Sequence, residues 1–168
     1  MNPIQFDVHP RTLYEVECWR NGQLLWVERF PNLVTNVGLT QLLDVTFRVG
    51  IGANAWFAGL VNNASFTAYA AADTMSSHAG WLEYSTGYSE ATRPQYLPAA
   101  AASQSINNSA SRAVFTMTAT ITIRGAFLVD VSTKGGTTGV LYGVGDFTVA
   151  RSVTSGDILR VQITLAAS

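Results

Sequence analysis

Residues 115–123 show the clearest alternation in the chain. Phe115, Met117, Ala119, Ile121 and Ile123 fall on one side of an extended backbone, and Thr116, Thr118, Thr120 and Thr122 fall on the other. A helix would scatter both sets around its axis. A strand, whose side chains point to opposite faces with period 2, separates them. The pattern therefore predicts a half-buried strand with one apolar and one polar face.

The remaining elements agree with a sheet protein. Arg11–Arg20 and Gln23–Phe30 flank Asn21-Gly22, a pair that predicts a tight hairpin because both central residues of a type I′ turn need φ > 0. Leu39, Leu42, Leu43 and Phe47 recur at helical spacing behind Thr35 or Asn36 as cap, which predicts one short helix ended by Gly50 and Gly52. Ala55–Val61 reads as a strand, and Gly125–Val131 continues past a bend at Gly125. Val140–Gly143, Asp146–Arg151 and Ile158–Leu165 follow, separated by the turns Lys134–Gly139 and Ser155–Asp157, with Val161, Ile163 and Leu165 facing inward. The expected fold is all-β: a jelly roll or β-sandwich with one short helix and a long irregular insertion. One domain spans 11–168, and residues 1–10, with Pro3 and Pro10 and no period, form an extended arm.

The insertion covers 62–111 and has neither helical nor strand periodicity. It carries Phe66, Tyr69, Trp81, Tyr84, Tyr88 and Tyr96, which is too aromatic for a disordered linker. Irregular segments of this length inside a domain are uncommon and usually functional. Two readings are open. Trp81, Tyr84, Tyr88, Arg93 and Tyr96, joined by Phe6 of the arm, have the composition of an interface hot spot. Alternatively, the rings fill a small core of the segment's own.

Composition narrows the function. Charged residues are 12% of the 168, about half the usual share, which suits a surface covered by protein neighbours. Nine arginines and Lys134 are scattered without a run or stripe, so there is no footprint for direct nucleic-acid binding. Arginine in place of lysine fits bidentate pairing at interfaces and fits codon bias equally. No apolar run is long enough for a membrane helix. The first residues lack a basic stretch followed by an apolar one, so assembly in a cytoplasm is expected.

Chemistry is sparse. His78 lies beside Ser76, Ser77 and Asp73, but triad members converge from separate elements, and no Gly-x-Ser-x-Gly elbow is present. His9 sits in the arm. Asp73, Glu83 and Glu90 are the carboxylates a glycan-cleaving site would have to use; capping a turn or pairing with Arg93 is the simpler role. Lys134-Gly-Gly-Thr-Thr-Gly139 joins two strands, whereas a phosphate loop leads into a helix. Cys18 is alone and reads as a small buried hydrophobe. No catalytic residue, metal ligand or cofactor is expected.

Several ordered motifs carry a resemblance. They are Asn32-Leu-Val-Thr-Asn-Val-Gly-Leu39, Trp56-Phe-Ala-Gly-Leu60, Asp73-Thr-Met-Ser-Ser-His-Ala-Gly-Trp81, Tyr88-Ser-Glu-Ala-Thr-Arg-Pro94, Gly125-Ala-Phe-Leu128, Lys134–Gly139 with Leu141-Tyr142, and Gly156-Asp157-Ile-Leu159. Over roughly 30–168 the chain resembles the jelly-roll capsid cement (decoration) proteins of tailed double-stranded-DNA bacteriophages. The resemblance implies a virion protein on the outer capsid surface that clamps neighbouring major capsid subunits and associates with itself as a dimer or trimer. The alternative it leaves is a tail-associated receptor- or carbohydrate-binding module, with Trp81 and Tyr88 stacking on sugars.

Overall fold

The computed structural model describes residues 10–167. The expected arm, with Phe6 and His9, lies outside them except for Pro10, which is the first residue of a strand.

The Asn21-Gly22 signal produces the expected hairpin. Strand β1 (Pro10–Arg20) runs into β2 (Gln23–Pro31), and Asn21 and Gly22 have φ of 51° and 77°. A two-residue strand β3 (Leu33–Val34) leads to helix α1 (Asn36–Phe47). The chain continues through β4 (Trp56–Asn62), β5 (Leu82–Glu83), β6 (Gln95–Tyr96), β7 (Ser105–Asn107), β8 (Ala113–Thr116), β9 (Ile121–Val129), β10 (Leu141–Val153) and β11 (Ile158–Ala167).

These strands form two sheets. The first has the order β2-β1-β11-β7, with β8 also on β11; the second has the order β3-β10-β9-β4-β5, with β6 also on β4. Every pairing is antiparallel. The pairing nests: β1 with β11, β3 with β10, β4 with β9. Early strands pair with late ones inward along the chain, the way a long hairpin rolls up into a jelly-roll-like sandwich.

Two expectations need correction. The alternating stretch 115–123 is not one strand. Its first part is β8, bonded to β11 in the first sheet; its second part begins β9, bonded to β10 and β4 in the second. The chain crosses between sheets while Phe115, Met117 and Ile123 all stay inside. Alternation persists because inward is the same direction for both sheets. Conversely, the two short strands expected over 140–151 are one strand, β10, with an irregular register between Asp146 and Arg151.

The core between the sheets contains Tyr14, Val16, Cys18, Phe30, Leu60, Phe115, Leu128, Phe147, Val161 and Ile163. Tyr14 stacks on Phe30, and Phe30 meets Phe147 edge-on. A second cluster lies on the other face of the second sheet. On β9, Ala126 and Leu128 belong to the inner core, while Phe127 and Val129 belong to this outer cluster with Met75, Trp81, Leu141 and Val144. Both faces of β9 are therefore buried, which is why Ala126–Val129 reads as an unbroken apolar run.

Candidate functional site

The insertion is the cover for that outer face. Trp81 sits 5.3 Å from Phe127, and its indole nitrogen donates to the Asp73 carboxylate at 3.0 Å. His78 stacks on Trp81 at 4.1 Å, and its Nδ1 lies 2.9 Å from the Trp81 carbonyl. The far part of the segment is clasped by Arg93. Its guanidinium makes a fork on Glu83, with Nε–Oε1 at 2.9 Å and Nη2–Oε2 at 2.6 Å, and also donates to the carbonyls of Val131 and Gly136. Opposite it, the Lys134 ammonium donates to the carbonyls of Tyr88 and Glu90 and lies 4.0 Å from the Tyr88 ring centre. The Lys134–Gly139 turn is thus a fastening point for the insertion.

The aromatic set packs inside the molecule, though not in one small core of the segment's own. Trp81, Tyr84, Tyr88, Arg93 and Tyr96 are all buried. Trp81 covers the outer face of β9 beside Phe127, whereas Tyr84, Tyr88 and Tyr96 join the core between the sheets, so their side chains offer a neighbour almost no area. A sugar-stacking platform at Trp81 and Tyr88 has no exposed ring face. Phe6 lies outside the described residues.

The titratable residues are tied up in the same way. Glu83 holds Arg93 and accepts from the Gly135 amide, and both Glu90 oxygens accept from the Thr116 amide. Cys18 is buried, and burial, aided by the nearby Asp157 carboxylate, pushes its thiol up to about 12. Among the described residues, no group of three His, Cys, Asp or Glu side chains is placed to hold a metal ion, and no helix is long and apolar enough to cross a membrane. Among the described residues, seven arginines pair with carboxylates: Arg20, Arg29, Arg48, Arg93, Arg112, Arg124 and Arg151. Their bidentate geometry is spent internally, as in the fork of Arg20 on Asp157.

What stands out on the surface is α1. Thr35 caps it, its hydroxyl accepting from the Gly38 amide at 3.1 Å. The same hydroxyl donates to the Leu141 carbonyl, and the Thr35 amide donates to the Tyr142 carbonyl at 3.0 Å. Gly38 is the helix's buried residue; a Cβ there would come within 2.3 Å of the Tyr142 carbonyl oxygen. A side chain at 38 would hold the helix off β10, so glycine is what lets the first turn lie flat on the strand.

Beyond that turn the helix has no buried residue. The apolar face expected from the sequence is present, but it does not pack inward: Leu43 is 59% exposed, Phe47 78% and Val49 103%, with Leu39, Leu42 and Ile51 also exposed. Helix α1 and the residues just after it thus gather six exposed large apolar side chains in one stretch of chain, the kind of surface that a protein neighbour can cover. Helical spacing could identify the face; it could not reveal that the sandwich leaves it uncovered.

Comparison with known protein families, curated proteins and solved structures finds no match.

Proposed function

We propose that this is a structural virion protein, one that binds the outside of a mature phage capsid and stabilises it by clamping neighbouring major capsid subunits. The observation that carries the reading is the uncovered apolar ridge Leu39–Leu43–Phe47 and its extension to Val49 and Ile51. Its first turn is fixed by Thr35 and Gly38, so the ridge is presented in a set orientation. The identity of the partner comes from the resemblance at the motifs quoted above.

Energetics favour a repeated, cooperative role. Covering Leu43, Phe47 and Val49 gains on the order of 5 kcal/mol before association costs, and those costs are of similar size. One copy on one site is then a weak complex. Many copies on a lattice, each touching two coat subunits and a sister copy, hold through avidity. Contacts available only on the mature shell stabilise that shell by mass action.

The test is co-sedimentation with shells that lack the protein. Leu43→Asp and Phe47→Asp are each expected to weaken shell binding by about tenfold or more, because a lost contact plus a desolvated carboxylate exceeds the ~1.4 kcal/mol that a factor of ten requires. Circular dichroism should be unchanged, since both side chains face solvent. Binding at wild-type strength by the double variant refutes the reading. So does mass spectrometry of purified virions that finds a handful of copies instead of near-coat abundance.

A further inference from the structure

Strand β2 is a sheet edge: among the described residues it pairs with β1 alone. With Leu24 and Leu25 exposed on it, it is the kind of edge that recruits a second strand, above all from another copy of the chain. Three features oppose this. The Asn32 amide donates to the Thr12 carbonyl at 3.2 Å, so by alternation Phe30, Glu28 and Trp26 also turn their backbone groups to β1, opposite Tyr14, Val16 and Cys18. Val27, Arg29 and Pro31 therefore turn theirs outward, and proline has no amide to offer. Next, the register slips where Cys18 faces Trp26 and Trp19 faces Leu24, leaving Leu25 as an extra residue that interrupts the outward row. Finally, Glu28 is buried at this edge, its carboxylate accepting from Arg151 Nε at 2.7 Å and from the Thr148 amide at 3.3 Å. Both partners lie where β10 leaves β9 between Asp146 and Arg151. Phe147 fastens that stretch to β2 by meeting Trp26 and Phe30 edge-on.

We infer that Glu28 and Pro31 guard the β2 edge against strand addition and so keep copies of this chain from joining sheet to sheet. The physical reason is a balance between edge hydrogen bonds and desolvation. Past the bulge, an added strand finds amide donors at Val27 and Arg29 and none at Pro31. It would also close over Arg151, which is now partly in water, together with the carboxylate that Arg151 holds. Taking ions out of water costs more than a few edge hydrogen bonds return. Copies held close together on a lattice are the most exposed to such pairing. With this edge refused, contacts between copies fall to other surfaces of the sandwich. The inference holds whatever α1 binds.

Removing the guard in the full chain tests it. In Glu28→Val/Pro31→Val the inward carboxylate is gone and an outward amide returns. Its weight-average mass in sedimentation velocity should be about twice the wild-type value or more at equal concentration, as copies pair across a twofold axis. Hydrogen exchange locates the contact: the amides of Val27 and Arg29, open in the wild type, should slow by about tenfold or more in the variant. Gln23→Val adds an apolar side chain to β2 with the guard in place and should do neither. Should Glu28→Val cost the native circular dichroism, Pro31→Val alone is read by the same two measurements. A folded variant that sediments like the wild type overturns the inference. So does association that leaves Val27 and Arg29 exchanging freely, or slow exchange at these two amides in the wild-type protein.

Discussion

Replacing Arg93 with methionine removes the clasp of the insertion while keeping most of the side chain's volume. The guanidinium is fully buried and the Glu83 carboxylate is 6% exposed, so the substitution strands an anion that keeps one donor, the Gly135 amide. It also frees the carbonyls of Val131 and Gly136. Breaking a buried pair by removing one partner costs about 3–5 kcal/mol. In a chain of this size each kcal/mol lowers Tm by roughly 2–4 °C, which gives a drop of about 6–20 °C. Adding Glu83→Leu removes the stranded charge and should recover more than half of the loss, leaving about 1–2 kcal/mol for the two carbonyls. Urea unfolding followed by tryptophan fluorescence reads this directly, since buried Trp81 lies inside the insertion. A single-substitution cost below about 1 kcal/mol would mean that the pair behaves like an exposed ion pair, and the account of Arg93 as an internal clasp would be wrong. A variant of wild-type stability that had lost shell binding would return Arg93 to the interface role its composition suggested.

Further expectations follow from single contacts. Gly38→Ala forces a Cβ to 2.3 Å from the Tyr142 carbonyl oxygen; it should cost about 1–3 kcal/mol and weaken shell binding by shifting the ridge. Gly59→Ala drives a Cβ into the Phe127 ring, which also packs on Trp81, and should cost a similar ~1–3 kcal/mol in thermal unfolding with shell binding intact. Hydrogen bonds from Arg20, with help from the Thr154 amide, hold the Asp157 carboxyl below its ordinary value of 3.8. The stabilisation is therefore present above that value and lost as pH falls through the lowered one. Asp157→Asn should be less stable than wild type at pH 7, the difference should shrink on acidification below about 4, and a constant difference would contradict the assignment. Cys18, its thiol raised to about 12 by burial, should resist thiol reagents at pH 8 until urea unfolds the chain; rapid native labelling would show that the first hairpin opens.

Much of the fold was legible because it is local. Asn21-Gly22 needs two adjacent positive φ values, and few residue pairs supply them. Thr35 sits one residue before α1 with a hydroxyl that satisfies a free amide, a requirement of any helix start. Residues 113–129 were legible only in part. Alternation reports which side is inward, and it is silent on which neighbour receives the hydrogen bonds. Hence β8 and β9 looked like one strand, although they lie in different sheets.

The candidate site shows the same division. Composition marked Trp81, Tyr84, Tyr88, Arg93 and Tyr96 as contact-forming, and helical period marked Leu39, Leu42, Leu43 and Phe47 as one face; both statements are true of the molecule. Which set is hidden and which is shown depended on long-range packing. Phe127 and Val129 present an outer apolar face that the insertion covers, and Gly38 lets the first turn of the helix lie against β10 while Leu43 and Phe47 stay exposed. Period and turn chemistry are properties of neighbouring residues and can be read from the chain alone. Solvent exposure depends on what distant segments happen to cover, and that was decided only when the sheets came together.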